Sequence, residues 1–226
     1  TKTELEELIS AAEEGETVQV STYTTEPELT AEAIDAMLFA DVLTSYNVVD
    51  GGSASQINNQ SLACNAVNGT VVFPGEEFSF NAVVGDTTAA KGYVDDYAYQ
   101  NGKLVKETGG GICRVASTLY ASILYSTFEV SLRYNHSSPV HYLPLGMDAT
   151  VSYPLPDMRF INNRQYPIRI NMVVSGGYVQ AVIYGTRQDD DPVVDVYLDN
   201  RTSMLVDTYR VFYNSNGEEI GREFMH

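Results

Sequence analysis

The stretch Thr108-Gly109-Gly110-Gly111-Ile112-Cys113-Arg114-Val115-Ala116-Ser117 sets a thiol just after three consecutive glycines. From Cys113 onward Ala116, Leu119 and Ile123 recur at helical spacing, so the thiol would stand at a helix N-terminus. Unpaired N–H groups and the positive end of the helix dipole there favour a thiolate. The same N–H groups could hold the oxyanion formed when a thiolate attacks a carbonyl, with Gly110 and Gly111 letting the backbone approach closely. Nucleophilic acyl transfer is one reading of this pattern. The other is a tight turn followed by a structural cysteine, since free Cys is among the most buried residue types. Cys64, among Leu62, Ala63, Ala66 and Val67 with no glycine loop beside it, reads as a core residue.

A catalytic thiol needs a base, and histidine is the usual one. His136 lies in Arg133-Tyr134-Asn135-His136-Ser137-Ser138-Pro139-Val140, beyond the end of the expected helix. A strand returning along that helix can bring it back beside the helix start. His141 is the second choice as base; on a continuous strand it would face away from His136, unless Pro139 breaks the parity. His226, the last residue of the sequence, is expected to be incidental. Asp148, between a turn and a strand, could orient the imidazole; Asn135 or a backbone carbonyl could serve instead, and an Asp there is often only a turn former. No third ligand stands at a familiar spacing from the histidines, so no metal is expected, and no cofactor either. The two cysteines either pair with each other or leave at least one free thiol.

These residues need elements to carry them. Thr3-Glu4-Leu5-Glu6 resembles a capping box, with Leu5, Leu8, Ile9 and Ala12 following at helical spacing and Gly15 as a stop. Val18–Tyr23 alternates like a strand, and 30–39 reads as a second helix. Val42–Val49 reads as a strand, 57–67 as a helix, and Thr70–Phe73 as a strand before the Pro74-Gly75 turn; Phe78 and Phe80 alternate as the next strand begins. The spacing predicts a helix over Cys113–Phe128, apolar or small nearly all round and therefore buried. Ile168–Met172 and Val179–Tyr184 read as a hairpin around Gly176-Gly177. Val193–Leu198 reads as a strand, and 208–225 as a hairpin turning at Asn216-Gly217. The fold class is α+β: a mostly antiparallel sheet packed on a buried central helix, with a small acidic N-terminal segment and a C-terminal β-hairpin. The expected divisions are 1–41, 42–190 and 191–226.

The 226 residues carry 13 Lys+Arg against 30 Asp+Glu, a net charge of −17. That balance excludes nucleic-acid binding through a general basic surface and disfavours adhesion to anionic lipid. The first 41 residues hold eleven acids and one base, whereas 51–186 hold nine acids and eight bases. The nearly neutral middle is where chemistry is expected. No run approaches the roughly 18–20 apolar residues of a membrane span. The chain opens on Thr1, so an export or anchor segment upstream is compatible with it.

The same residues resemble the VanW family. Its motifs occur here in order: Asn68-Gly69-Thr70-Val71, then Pro74-Gly75-Glu76-Glu77-Phe78-Ser79-Phe80-Asn81, Gly92-Tyr93, Gly109-Gly110-Gly111-Ile112-Cys113 with Ser117-Thr118-Leu119-Tyr120, Asn135-His136-Ser137, Pro144-Leu145-Gly146, Asp148-Ala149-Thr150-Val151 and Phe160-Ile161-Asn162-Asn163. They span roughly residues 45–185. The hairpin from Thr208 resembles the usual tail of such proteins, and the acidic opening resembles the end of a preceding peptidoglycan-binding module. Two departures stand out: Arg114 where Gln is common, and Tyr134 where a second His is often seen. Arg114 could favour the thiolate or bind a substrate carboxylate.

The resemblance implies a bacterial cell-envelope location and, for some members, cysteine-dependent L,D-transpeptidase activity on peptidoglycan stem peptides. Cys113 would then be the nucleophile, His136 the base, Asp148 its partner, and Gly110, Gly111 and Arg114 the oxyanion and substrate contacts. Two rival expectations stand beside it: hydrolysis by the same site, as an amidase or peptidase, and a noncatalytic envelope-binding role.

Overall fold

The computed structural model describes residues 2–13, 15–20, 38–49, 52–100 and 103–226. The chain divides into two compact units, 1–34 and 35–226. In the first, helix α1 spans Lys2–Ala11. Val18–Val20 is irregular, so the strand expected from Val18 is not formed there, and the rest of that strand lies outside the described residues. Residues 30–37 of the expected second helix also lie outside them.

The second unit is built on a four-stranded antiparallel sheet. It comprises β1 (Asp41–Val49), β2 (Thr70–Val72), β8 (Ile168–Ser175) and β9 (Tyr178–Gly185) in the order β1-β9-β8-β2. In β8 and β9 alternate residues are buried: Ile168, Ile170 and Met172 on one strand, Val179, Ala181 and Ile183 on the other. That period of two turns one sheet face onto the helices. Helix α2 (Ala54–Val67) starts three residues earlier than its apolar spacing suggests, because Ser53 caps it, its hydroxyl accepting from Gln56 N at 3.1 Å.

Strand β3 is short, Glu77–Ser79, and does not continue through Phe80. Ser79 instead caps a five-residue helix, α3 (Phe80–Val84), by accepting from Ala82 N at 3.1 Å. A hairpin of β4 (Asp95–Gln100) and β5 (Lys103–Thr108) then leads into the glycine loop.

Helix α4 (Ile112–Leu124) is the centre of the unit, every residue from Arg114 to Leu124 being buried. Small residues at 116, 117, 121 and 122 let backbones approach it: Thr44 Oγ1 of β1 donates to the Ser122 carbonyl at 2.7 Å. The helix ends at Leu124 rather than near Phe128, where the Ser126 hydroxyl turns back to the Ile123 carbonyl at 2.6 Å. Strands β6 (Glu129–Leu132) and β7 (Arg159–Ile161) join β3 in a second sheet, and Phe160 packs between Phe78 and Phe128.

Strands β10 (Val193–Asn200), β11 (Val206–Tyr213) and β12 (Glu219–Phe224) form a three-stranded meander. It is fastened to α4 by Arg210, whose Nη2 donates to the Ile123 carbonyl at 3.1 Å. The C-terminal β elements thus belong to the same unit as the central helix. The architecture is α+β with mostly antiparallel sheets around a buried helix. Among the described residues, no helix is long and apolar enough to cross a membrane.

Candidate functional site

Gly111 precedes α4 with φ +101°, a left-handed conformation that side chains disfavour. A Cβ there would also come within 3.1 Å of Gln56 on α2. The turn therefore depends on glycine, and it delivers Cys113 into the first turn of α4, where the Ile112 and Arg114 N–H groups donate to the Gly109 and Gly111 carbonyls at 3.3 and 3.2 Å. Four residues on, Ser117 shares the same helix face. Its hydroxyl donates to the Ala149 carbonyl at 2.9 Å and accepts from Ala149 N at 3.0 Å. That double contact lays 149–151 along the helix, so Val151 N donates to Cys113 Sγ at 3.5 Å and Thr150 Oγ1 lies 3.6 Å from the sulfur. When protonated, the thiol has the Val151 carbonyl as acceptor at 3.4 Å.

The segment after β6 runs beside the same stretch. Thr150 N donates to the Tyr134 carbonyl at 2.8 Å, and Arg133 Nε donates to the Asp148 carbonyl at 2.7 Å. This pairing sets His136 against Asp148: its backbone N and its Nδ1 both lie 2.7 Å from Oδ2. Arg133 Nη2 takes the other carboxylate oxygen at 2.9 Å. With Nδ1 held by Asp148, the other ring nitrogen is left for Cys113, whose charge couples to that of His136.

The ionisation shifts follow from this geometry. Burial pushes the Cys113 thiol up, but the hydrogen bond and charge of His136, aided by Val151 and Thr150, bring it below the ordinary thiol value. Burial likewise opposes the imidazolium, yet the Asp148 hydrogen bond and the thiolate raise His136 to about 9. Asp148 is buried, which opposes its charge, but His136 and Arg133 hold it below the usual carboxylate range. All three directions favour a thiolate–imidazolium pair anchored on a carboxylate.

Cys113 opens onto a groove of about 250 Å³. Gly109, Gly111, Ile112, Val151, Ser152 and Tyr153 line it, together with Asp86, Thr87, Thr88, Glu107 and Thr108. Asn81 holds the stretch that carries Ser152: its Nδ2 lies within 3.1 Å of the carbonyls of Ser152, Pro154 and Pro156.

Three residues named from the sequence stand elsewhere. Gly110 does not line the groove; it packs on Asp96, and its carbonyl accepts from Asn59 Nδ2 at 2.9 Å. Arg114 follows Cys113 by one helical step, about 100° around the axis. It is buried with its guanidinium 4.7 Å over the Tyr142 ring, outside the groove lining. His141 is exposed, stacked edge-on to Tyr142, and lines neither this groove nor the cavity that His136 lines. His226, expected to be incidental, is instead hydrogen-bonded to Tyr120 Oη at 2.9 Å.

Sequence reading missed Arg133, Thr150, Val151 and Asn81. Arg133 stands three residues before His136, with nothing in its residue type to mark Asp148 as its partner, and the backbone donor of Val151 has no signature in residue type. Both cysteines are free thiols, Cys64 being 1% exposed with its pKa pushed by burial to about 12.

Residues 55–184 match the family model described as VanW like protein. Over 158 residues, 68% of this chain and 52% of the relative, the sequence is 37% identical to "Uncharacterized protein YoaR" of Bacillus subtilis. Over 139 residues, 59% of this chain and 50% of the relative, it is 26% identical to "Vancomycin B-type resistance protein VanW" of Enterococcus faecalis. The chain therefore spans about half the length of these curated relatives. No solved structure gives a significant match. The family match takes in α2, the glycine loop, α4 and every member of the Cys113–His136–Asp148 arrangement, and the chain belongs to the VanW family.

Proposed function

We propose that this protein is a cell-envelope acyl transferase of the L,D-transpeptidase type, acting on peptidoglycan stem peptides through Cys113. The observation that carries the reading is the Cys113–His136–Asp148 arrangement, with the thiol on the first turn of a helix and lining an open groove. The name of the E. faecalis relative ties that protein to vancomycin resistance. An L,D-transpeptidase uses a tetrapeptide donor, which lacks the terminal D-Ala-D-Ala that vancomycin binds.

The Cys113 thiolate attacks the carbonyl carbon joining the diamino acid to D-Ala. The N–H of Cys113 itself, on the first turn of α4, and the positive end of the helix dipole stabilise the developing oxyanion. Collapse breaks the C–N bond, His136 gives its proton to the departing D-Ala amine, and a thioester remains on Sγ. His136, now neutral, takes a proton from the amine of a second stem. That amine attacks the thioester, the thiolate leaves, and a cross-link results. Asp148 keeps the imidazole oriented and stabilises its charged form throughout.

The test is incubation with disaccharide-tetrapeptide, followed by intact-mass and product analysis. A thioester on Cys113 and a cross-linked dimer are expected, both lost in Cys113→Ala and His136→Ala and retained in Cys64→Ala. Hydrolysed tripeptide without dimer would replace transfer by hydrolysis. Neither adduct nor product from reduced protein would refute the enzymatic reading.

A further inference from the structure

A second cavity, of about 280 Å³, is lined in part by His136 and Asp148. Met204, Leu205 and Val206 line it from the C-terminal meander, and so does His226. Residues 225–226 continue the pairing of β12 along β11: Met225 N donates to the Thr208 carbonyl and Thr208 N to the His226 carbonyl, both at 2.9 Å. This brings the His226 ring between α4 and Arg133. Nε2 lies 2.9 Å from Tyr120 Oη, and Nδ1 lies 3.4 Å from Arg133 Nη1.

A guanidinium only donates, so the contact with Arg133 requires the tautomer in which Nδ1 accepts and Nε2 carries the ring proton toward Tyr120. Burial, with Arg133 beside it, pulls His226 down to about 4, so the ring is neutral near neutrality and keeps its acceptor. Arg133 is then held at three points: Nη1 on His226, Nη2 on Asp148 Oδ1 and Nε on the Asp148 carbonyl.

We infer that His226 is a positioning residue for the nucleophile: by holding Arg133 it fixes the Asp148 carboxylate, and through it the His136 imidazole beside Cys113. The inference rests on the acyl-transfer reading of this site. It extends the working site to the C-terminal meander, beyond the 55–184 segment that the family model matches.

The meander is fastened independently of this ring. Arg210 holds the end of α4. Gly146 meets β11 so closely that a Cβ would stand 2.4 Å from Thr208 Oγ1 and 2.7 Å from Val206 Cγ1. Removing the imidazole therefore loosens Arg133 without freeing the strands.

The charged and titratable groups around the ring are Arg133, Asp148 and Tyr120, with Arg210 beside Tyr120. Tyr120 is pushed by burial to about 12, and Asp148 is held low. A profile that moves near neutrality therefore reports the Cys113–His136 pair.

The experiment follows iodoacetamide alkylation of Cys113 by intact mass from roughly pH 5 to 10, with a thermal melt of each protein. The full chain is compared as wild type, His226→Ala and His226→Gln. In His226→Ala the rate near neutrality should fall about fivefold, the equivalent of one hydrogen bond, and the midpoint should rise. His226→Gln, whose amide can accept from Arg133 and donate to Tyr120, should restore both. A His226→Ala profile superimposed on wild type, whatever its melting temperature, overturns the inference. So does a folded His226→Gln protein that behaves like His226→Ala. A wild-type midpoint at the ordinary thiol value overturns the ion-pair reading itself, before His226 is at issue.

Discussion

Replacing Asp148 with Asn removes one buried negative charge while keeping the side-chain shape. The carboxylate accepts from Arg133 Nη2 at 2.9 Å and from His136 N and Nδ1 at 2.7 Å. His136 stands at about 9 although burial opposes its charge. Against an ordinary histidine value of about 6.5, that elevation is worth about 3 kcal/mol of imidazolium stabilisation, shared between Asp148 and the thiolate. Assigning Asp148 about 2 kcal/mol of it predicts a roughly 30-fold loss of the thiolate–imidazolium form near neutrality. The amide also turns a donor toward Arg133, leaving a buried guanidinium without its counter-charge, at a stability cost of about 3 kcal/mol. The assay is the ultraviolet absorbance of the thiolate against pH, paired with the rate of thioester formation. Both should fall together in Asp148→Asn, with the thiolate midpoint displaced upward. A folded Asp148→Asn protein with the wild-type midpoint would refute the reasoning, because the pair would then owe nothing to this carboxylate.

His136 is raised in the folded state, so its contribution to stability is complete below about 6.5 and lost as pH climbs to about 9. Wild type should therefore exceed His136→Gln in denaturant stability by about 3 kcal/mol more at pH 6 than at pH 10; a constant gap would contradict the shift. Cys64→Ala should lose about 1–3 kcal/mol by calorimetry, as a buried core truncation, with Cys113 alkylation unchanged. Gly110→Ala would bring a Cβ within 2.6 Å of the Asp96 carbonyl oxygen, which is backbone and cannot rotate away. The glycine loop must then shift, with a loss of about 2 kcal/mol or more and slower alkylation of Cys113; an unperturbed melt would refute the close approach.

Legibility differed from element to element. The hairpin of β8 and β9 was readable because its burial alternates with a period of two, and α4 because it is apolar or small around most of its circumference. Boundaries decided by a single side chain escape hydrophobic periodicity. Ser53 moved the start of α2 back to Ala54, and Ser79 turned Phe80 from strand to helix. A capping hydroxyl is a local hydrogen bond and leaves no trace in hydrophobic periodicity. The β4–β5 hairpin, which delivers the glycine loop, was not anticipated.

At the site, residue type and order pointed to Cys113, His136 and Asp148, since thiols, imidazoles and carboxylates announce their chemistry. Their partners do not. Arg114 is adjacent in sequence to the thiol, but one helical step carries it over Tyr142, whereas Arg133 reaches Asp148 through pairing between distant segments. Gly111 borders the groove and Gly110 does not, because successive residues of the turn face different neighbours. His226 looked incidental at the end of the sequence and lies against Tyr120, 106 positions away.

The sequence by itself determined the chemical cast and the family, because both reside in which side chains occur and in what order. Tertiary structure decided which members meet. It did so through the Ser117–Ala149 contact that lays Val151 along α4, the Thr150–Tyr134 pairing that sets His136 on Asp148, and the strand that returns His226 to Arg133. Each is a contact between segments far apart along the chain, and directional hydrogen bonds of that kind are specified only once the whole core has packed.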